Sequence, residues 1–336
     1  MGNAAADGAG EGRSLLLRRT VRRRTVAGPA SRCHHPRMPE LPDVTVYVEA
    51  LDRRLTGSRL SGVRVAGPSL LQTFDPPLTA VAGARILGFR RVGKRIVFAL
   101  DGKLFLVVHL MIAGRFRWKE RGAAIPRKLG LAAFDTADAT VLLTEAGTKK
   151  RAMLHLVRGE DSLAGFDRGG IDVFTAGTEE FSTALTAENH TLKRALTDPR
   201  ILDGIGNAYS DEILHRARLS PLKWTRRLDG EELARLHGAA RAVLREWIER
   251  LREETGDGFP EGVTAFREGM AVHGKYGRPC PACGSPVQRI VYASNETNYC
   301  PRCQTGGKLL ADRALSRLLR GDWPGTLEEL EARKGP

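Results

Sequence analysis

Met38-Pro39-Glu40-Leu41-Pro42-Asp43 is the stretch from which the rest of the chain is read outward. Inside a loop, a proline and an acid after methionine carry no chemistry. At a true N-terminus, proline presents a secondary amine that no side chain offers, and such an amine attacks aldehyde-like sugar carbons to form an iminium directly. Upstream lie 37 residues, rich in Gly and Ala and then basic, with Arg13, Arg18, Arg19, Arg22, Arg23, Arg24, Arg32 and Arg37 against Asp7 and Glu11. Leu15 to Leu17 make too short a run for the apolar region of a signal peptide. Residues 1–37 read as a basic arm for nucleic acid, as a transit peptide, or as a leader outside a protein translated from Met38, and the last is the expectation. Cys33-His34-His35 lacks a fourth metal partner and reads as inert.

Of the 336 residues, 42% are hydrophobic and 27% charged, the balance of a globular chain with a real core. No apolar run approaches the roughly 20 residues of a membrane span. A net charge of +14 favours a polyanionic partner, nucleic acid first, and the metal-type spacing of the cysteines leads to the expectation of a reduced, cytoplasmic setting. Four of the five cysteines stand as Cys280-Pro281-Ala282-Cys283 and Cys300-Pro301-Arg302-Cys303. This C-x2-C-x16-C-x2-C spacing suits one tetrahedral structural Zn2+ on four thiolates, with a rubredoxin-type iron as the alternative. All four positions are filled, so the ion organises structure and activates no water.

Between these ends the periodicities place the elements. Val44, Tyr47, Val48, Leu51 and Leu55 have helical spacing, ended by Gly57. The stretches 85–100 and 103–118 flank Asp101-Gly102 and predict one long hairpin, with Lys94 at the start of an apolar run; 130–135 and 139–144 predict another strand pair. Lys149, Lys150 and Arg151 follow Gly147 on a turn, either as a phosphate contact or as a solvated run. A helix over 191–196, the turn Gly204-Ile205-Gly206-Asn207 and a helix over 209–216 predict a helical hairpin whose turn amides cradle phosphate. Leu233, Leu236, Ala240, Leu244, Trp247 and Leu251 line the core face of a long helix. The fold class is multidomain α+β: leader 1–37, β-sandwich with a leading helix 38–170, helix-turn domain 171–270, zinc ribbon 271–304, and an extension 305–336. Leu309, Leu310, Leu315, Leu318 and Leu319 predict a short amphipathic helix in that extension.

PELPD, GIGNAYSDE and a four-cysteine ribbon ending CPRCQ stand in that order, and together they resemble the formamidopyrimidine-DNA glycosylase/endonuclease VIII family over residues 38 to about 304. The resemblance implies a β-sandwich, a helix–two-turns–helix domain and a zinc ribbon, with duplex DNA carrying damaged bases or abasic sites as partner and a monomer as working form. It implies Pro39 as the amine nucleophile, Glu40 as proton shuttle and Lys94 near the lesion and its phosphate. Asn207, with Lys193, is implied as a phosphate grip. Base flipping, glycosidic cleavage and elimination of the 3′ phosphate would follow.

The departures concern lesion choice. Asn295 stands where relatives commonly carry a phosphate-clamping arginine, leaving Lys149, Lys150 or Arg151 as substitutes. The methionine wedge after His-Leu reads His109-Leu110-Met111-Ile112, so Met111 or Ile112 takes that role. An arginine-phenylalanine pair is not evident near 145–155. Removal of oxidised purines is expected, with an oxidised-pyrimidine preference, a catalytically silent damaged-DNA binder or a zinc-ribbon RNA-binding protein as alternatives.

Overall fold

The computed structural model describes residues 38–147, 149–261, 267–292, 295–311 and 324–334. Helix α1 (Leu41–Leu55) starts at Glu40, whose backbone N–H donates to Asp43 Oδ2 at 2.9 Å. Pro42 in the first turn, where an amide hydrogen has no partner to lose, and Arg53 and Arg54 in the last turn suit the helix ends. Gly57, at φ +90°, turns the chain away.

Two four-stranded antiparallel sheets follow. One orders β1 (Leu60–Val65), β6 (Gly130–Thr136), β7 (Ala139–Glu145) and β5 (Gly114–Glu120). The other orders β2 (Ile86–Val92), β3 (Arg95–Leu100), β4 (Leu104–His109) and β8 (Met153–Arg158). Phe98 and Phe134 stack at 5.0 Å between them, with Phe116 edge-on to Phe134 at 5.9 Å and to Tyr47 of α1 at 5.7 Å. The turn at Asp101-Gly102 stands as expected, but each long strand predicted beside it is broken. Gly93-Lys94 divides β2 from β3 and lifts Lys94 onto a tight turn. Leu110–Ala113 carries the chain from β4 into the opposite sheet. There Met111 has φ +51°, and the Gly114 N–H donates to Leu110 O at 2.9 Å. A Cβ on residue 114 would lie 2.2 Å from that carbonyl oxygen, so only glycine permits the reversal.

The helical half contains α2 (Glu160–Ala164), α3 (Thr178–Thr186), α4 (Leu192–Thr197), α5 (Asn207–Ala217) and α6 (Gly230–Thr255). In α6, Asp229 and Glu232 form a reciprocal capping box, which opens its 26 residues. Leu236, Ala240, Leu244, Trp247 and Leu251 are buried as their spacing predicts. Beyond it β9 (Gln288–Tyr292) and β10 (Asn295–Tyr299) form the ribbon hairpin, followed by α7 (Pro301–Thr305) and α8 (Leu327–Lys334). Leu309 N–H donates to Gly325 O at 2.9 Å and Leu310 N–H to the Tyr299 hydroxyl at 2.8 Å, which docks the extension on the ribbon. Leu315, Leu318 and Leu319 lie outside the described residues. Among the described residues no helix is long and apolar enough to cross a membrane.

Helix α1 is shared by two cores. Val44, Tyr47, Leu51 and Leu55 face the sandwich, whereas Leu41 packs with Phe181, Leu202, Ile205 and Tyr209 of the helical half. Asp43 binds the halves again, with its Oδ1 2.9 Å from Arg267 Nη2 and both side chains under a tenth exposed. Asp43→Ala is expected to cost about 3–5 kcal/mol in urea denaturation, because the remaining carboxylate partner of Arg267 among the described residues, Glu254, is exposed. A loss below about 1 kcal/mol, the scale of a surface pair, would contradict a desolvated bridge.

Candidate active site and metal centre

The Glu40 carboxylate is seated on the N-terminus of α5. It accepts hydrogen bonds from the amides of Gly206 (2.7 Å), Ala208 (2.8 Å) and Tyr209 (3.2 Å), donors that the first turn of a helix leaves without intrahelical partners. The approach is close enough to require glycine. A Cβ on residue 206 would lie 2.5 Å from Glu40 Cδ and 2.6 Å from Lys94 Nζ. Next door, Gly204 accepts the Leu41 N–H at 2.9 Å and has φ +78°. Pro39 is buried directly before Glu40, and Lys94 reaches in from the β2–β3 turn. Three separate segments therefore meet around one backbone position.

Burial pushes the Glu40 carboxyl up, against the pull of Lys94 and the Ala208 and Tyr209 amides. Burial likewise pulls the Lys94 ammonium down, with Glu40 and Asp203 opposing and Lys193 adding to the fall. An acid that holds its proton and an amine that releases its own more readily suit proton transfer near neutral pH.

Helix α5 is also tied to the ribbon. Asn207 Nδ2 donates to Glu296 O at 2.9 Å. Lys193 Nζ donates to Asn207 O, Ser210 Oγ and Asp211 Oδ1 at 2.6–2.8 Å, so this expected phosphate ligand is an internal strut between α4 and α5. Asp211 Oδ2 lies 2.6 Å from His273 Nδ1 and accepts the Asn298 N–H, and Glu212 accepts the amides of Ala271, Val272 and His273. Spacing did not single out Asp211, Glu212 or His273, although the two acids close the GIGNAYSDE stretch; buried acids facing amides leave no periodic signal.

Met111 and Ile112 are half-buried in the β4–β5 turn, with the Met111 N–H donating to His109 Nδ1 at 3.1 Å. Lys149 and Arg151 are exposed, whereas Lys150 donates to Glu145 O within their own turn. Asn295 pairs with Tyr292 at the hairpin tip, and its side chain lies outside the described part of the molecule.

Cys280, Cys283, Cys300 and Cys303 bring their sulfurs within 4.8 Å of one another. This all-thiolate, four-donor set fits a closed tetrahedral zinc site. His215 of α5 places Nε2 3.2 Å from Cys280 Sγ, and a thiolate there would accept the Nε2 proton. The imidazole thus links the helix that seats Glu40 to a metal ligand.

Known proteins match this arrangement in three consecutive parts. The formamidopyrimidine-DNA glycosylase N-terminal domain matches residues 38–151, its H2TH domain residues 173–257, and a zinc finger found in FPG and IleRS residues 277–306. With the cysteine cluster, the last match assigns one structural zinc ion. A formamidopyrimidine-DNA glycosylase of Thermus thermophilus is 36% identical over 292 residues, covering 80% of this chain and 100% of that protein. An uncharacterized formamidopyrimidine-DNA glycosylase-like protein of Mycobacterium tuberculosis is 41% identical over 151 residues, 45% of this chain and 94% of its own. Lactococcus lactis Fpg in complex with DNA containing an abasic site superposes with a TM-score of 0.71 at 24% identity, covering 79% of this chain and 99% of that one.

Cys300→Ser is expected to abolish tight zinc retention, and His215→Ala to weaken it by about 10-fold or more, as loss of a ligand's hydrogen-bond partner does. Competition against a chromogenic chelator measures both. Unchanged retention in His215→Ala would show that the imidazole does not support the site.

Proposed function

The chain belongs to the formamidopyrimidine-DNA glycosylase family and is a DNA glycosylase of base-excision repair; on that premise we propose that it is also an AP lyase with Pro39 as its amine nucleophile. The observation that carries the reading is the Glu40 carboxylate, held on the α5 amides beside Lys94 and directly after Pro39. Oxidised purines and formamidopyrimidines, presented in duplex DNA, are the proposed substrates, and abasic sites enter the same path at its second half.

With Pro39 as first residue, its nitrogen bonds to the sugar C1′ and the C1′–base bond breaks, the base leaving with the electron pair and taking up a proton from solvent. The amine then loses its own proton, and its lone pair opens the C1′–O4′ bond to give the iminium. Glu40 donates the proton that O4′ takes up. The iminium draws electrons from the neighbouring C2′–H, whose proton departs, and the C3′–O bond breaks to release the 3′ phosphate. The Lys94 ammonium faces a phosphate of the lesion strand. If residues 1–38 remain attached, Pro39 is an amide and the path is closed.

Borohydride treatment of a protein beginning at Pro39, mixed with a duplex containing an abasic site, should trap a covalent adduct. Pro39→Gly should lose most lyase activity while retaining DNA affinity. A protein that binds the duplex and forms no adduct would sink the reading. The Glu40 role has a pH signature of its own. Its proton persists to higher pH than that of a free carboxyl, so an acid-dependent rate is full at low pH and declines as pH rises through the elevated value. Glu40→Gln should remove that limb and lower the single-turnover rate by about 100-fold or more. A limb surviving in Glu40→Gln would assign it to another group.

A further inference from the structure

The outer face of the second sheet carries cations that the Glu40 site does not use. Arg95 directly follows Lys94 at the start of β3 and is paired across β4 with His109, which is paired in turn with Met153 of β8. His155, two residues along β8, shares that face. Phe166, from the segment after α2, sits between them: its ring centroid is 4.8 Å from that of His155 and 5.6 Å from Arg95 Cζ, and its carbonyl accepts Arg95 Nη1 at 3.2 Å. Arg168 stands two residues further on, exposed.

The carboxylates around this patch are committed elsewhere. Asp167 accepts the Gly169 N–H, Asp172 and Asp203 both hold Arg91, and Glu160 holds Arg90. Among the described residues, no carboxylate lies within ion-pair distance of Arg95, His155 or Arg168. The charge, only partly offset by Asp203, is felt locally. Burial first, and then Arg95, Lys94 and His155, drive His109 down to about 4, while Arg95 is itself lowered by burial and by Arg168, with the more distant Asp203 opposing.

Guanidinium groups left half-buried without a carboxylate are disfavoured unless an anion completes them. Phe166 braces Arg95 from one side, so its fork is held in place before a ligand arrives. We propose that Arg95, His155 and Arg168 form a phosphate subsite distinct from the Lys94–Glu40 pair, taking a backbone phosphodiester of the bound DNA strand next to the one facing Lys94. The inference rests on the glycosylase reading and deepens it. The site adds affinity and register and no base preference, because phosphate contacts carry no sequence information.

The test is the salt dependence of binding to two duplexes, one containing a tetrahydrofuran abasic analogue and one undamaged. Each arginine removed by Arg95→Gln or Arg168→Gln should reduce the slope of log affinity against log salt by about 0.9. The double variant should bind both duplexes about 10-fold or more weakly at low salt. Arg168 is exposed, so Arg168→Gln keeps the test valid should Arg95→Gln fail to fold. Wild-type slopes in both folded variants would overturn this inference alone. A wild-type protein that binds neither duplex would overturn the glycosylase reading and this inference with it.

Discussion

A carboxylate in the amide cup of a helix N-terminus is the constraint from which the molecule is built. Glu40 opens α1, yet its side chain ends on α5, 166 to 169 residues away in sequence. One group thereby joins the sandwich to the helical half and stands beside Lys94, directly after Pro39. The amides favour the ionised form and burial favours the neutral one, with burial the larger. A carboxyl poised between the two can give up and regain a proton without moving.

Helix α5 meets that constraint with every part of its length. Its N-terminus holds Glu40, Asn207 and Asp211 reach the ribbon hairpin, Glu212 clasps residues 271–273, and His215 touches Cys280. The zinc therefore lies at the far end of a rigid element whose near end seats the acid. Contacts of α5 thus run from Cys280 at one end to Glu40 at the other. Arg267 on Asp43 ties the segment before the ribbon to α1 and closes this circuit.

Electrostatics are divided along the same lines. Close to Glu40, charges are matched: Lys94 has the acid, Lys193 has Asp211, and Arg91 has Asp172 and Asp203. Further out, on the β3–β4–β8 face, Arg95 forms no ion pair with a carboxylate among the described residues. Matched charge holds the groups around Glu40 in place, and the less matched charge further out is the part proposed to meet the DNA backbone.

Local patterns in the chain alone determined much of this protein. Helical spacing from Val44 to Leu55 and from Leu236 to Leu251, the Asp101-Gly102 turn and the paired cysteines depend on neighbours within a few turns or one hairpin, and they stand where spacing put them. The order of PELPD, GIGNAYSDE and CPRCQ identified the family and three of its structural parts. Tertiary structure alone decided the rest. The predicted strand over 103–118 broke because Gly114 backs onto the Leu110 carbonyl, a contact visible only once both sheets exist. Lys193 became a strut because Asp211 is buried within its reach, and Glu40 found its amides across most of the chain. Such contacts join residues far apart in sequence, and partners brought together by folding leave no period or spacing to read.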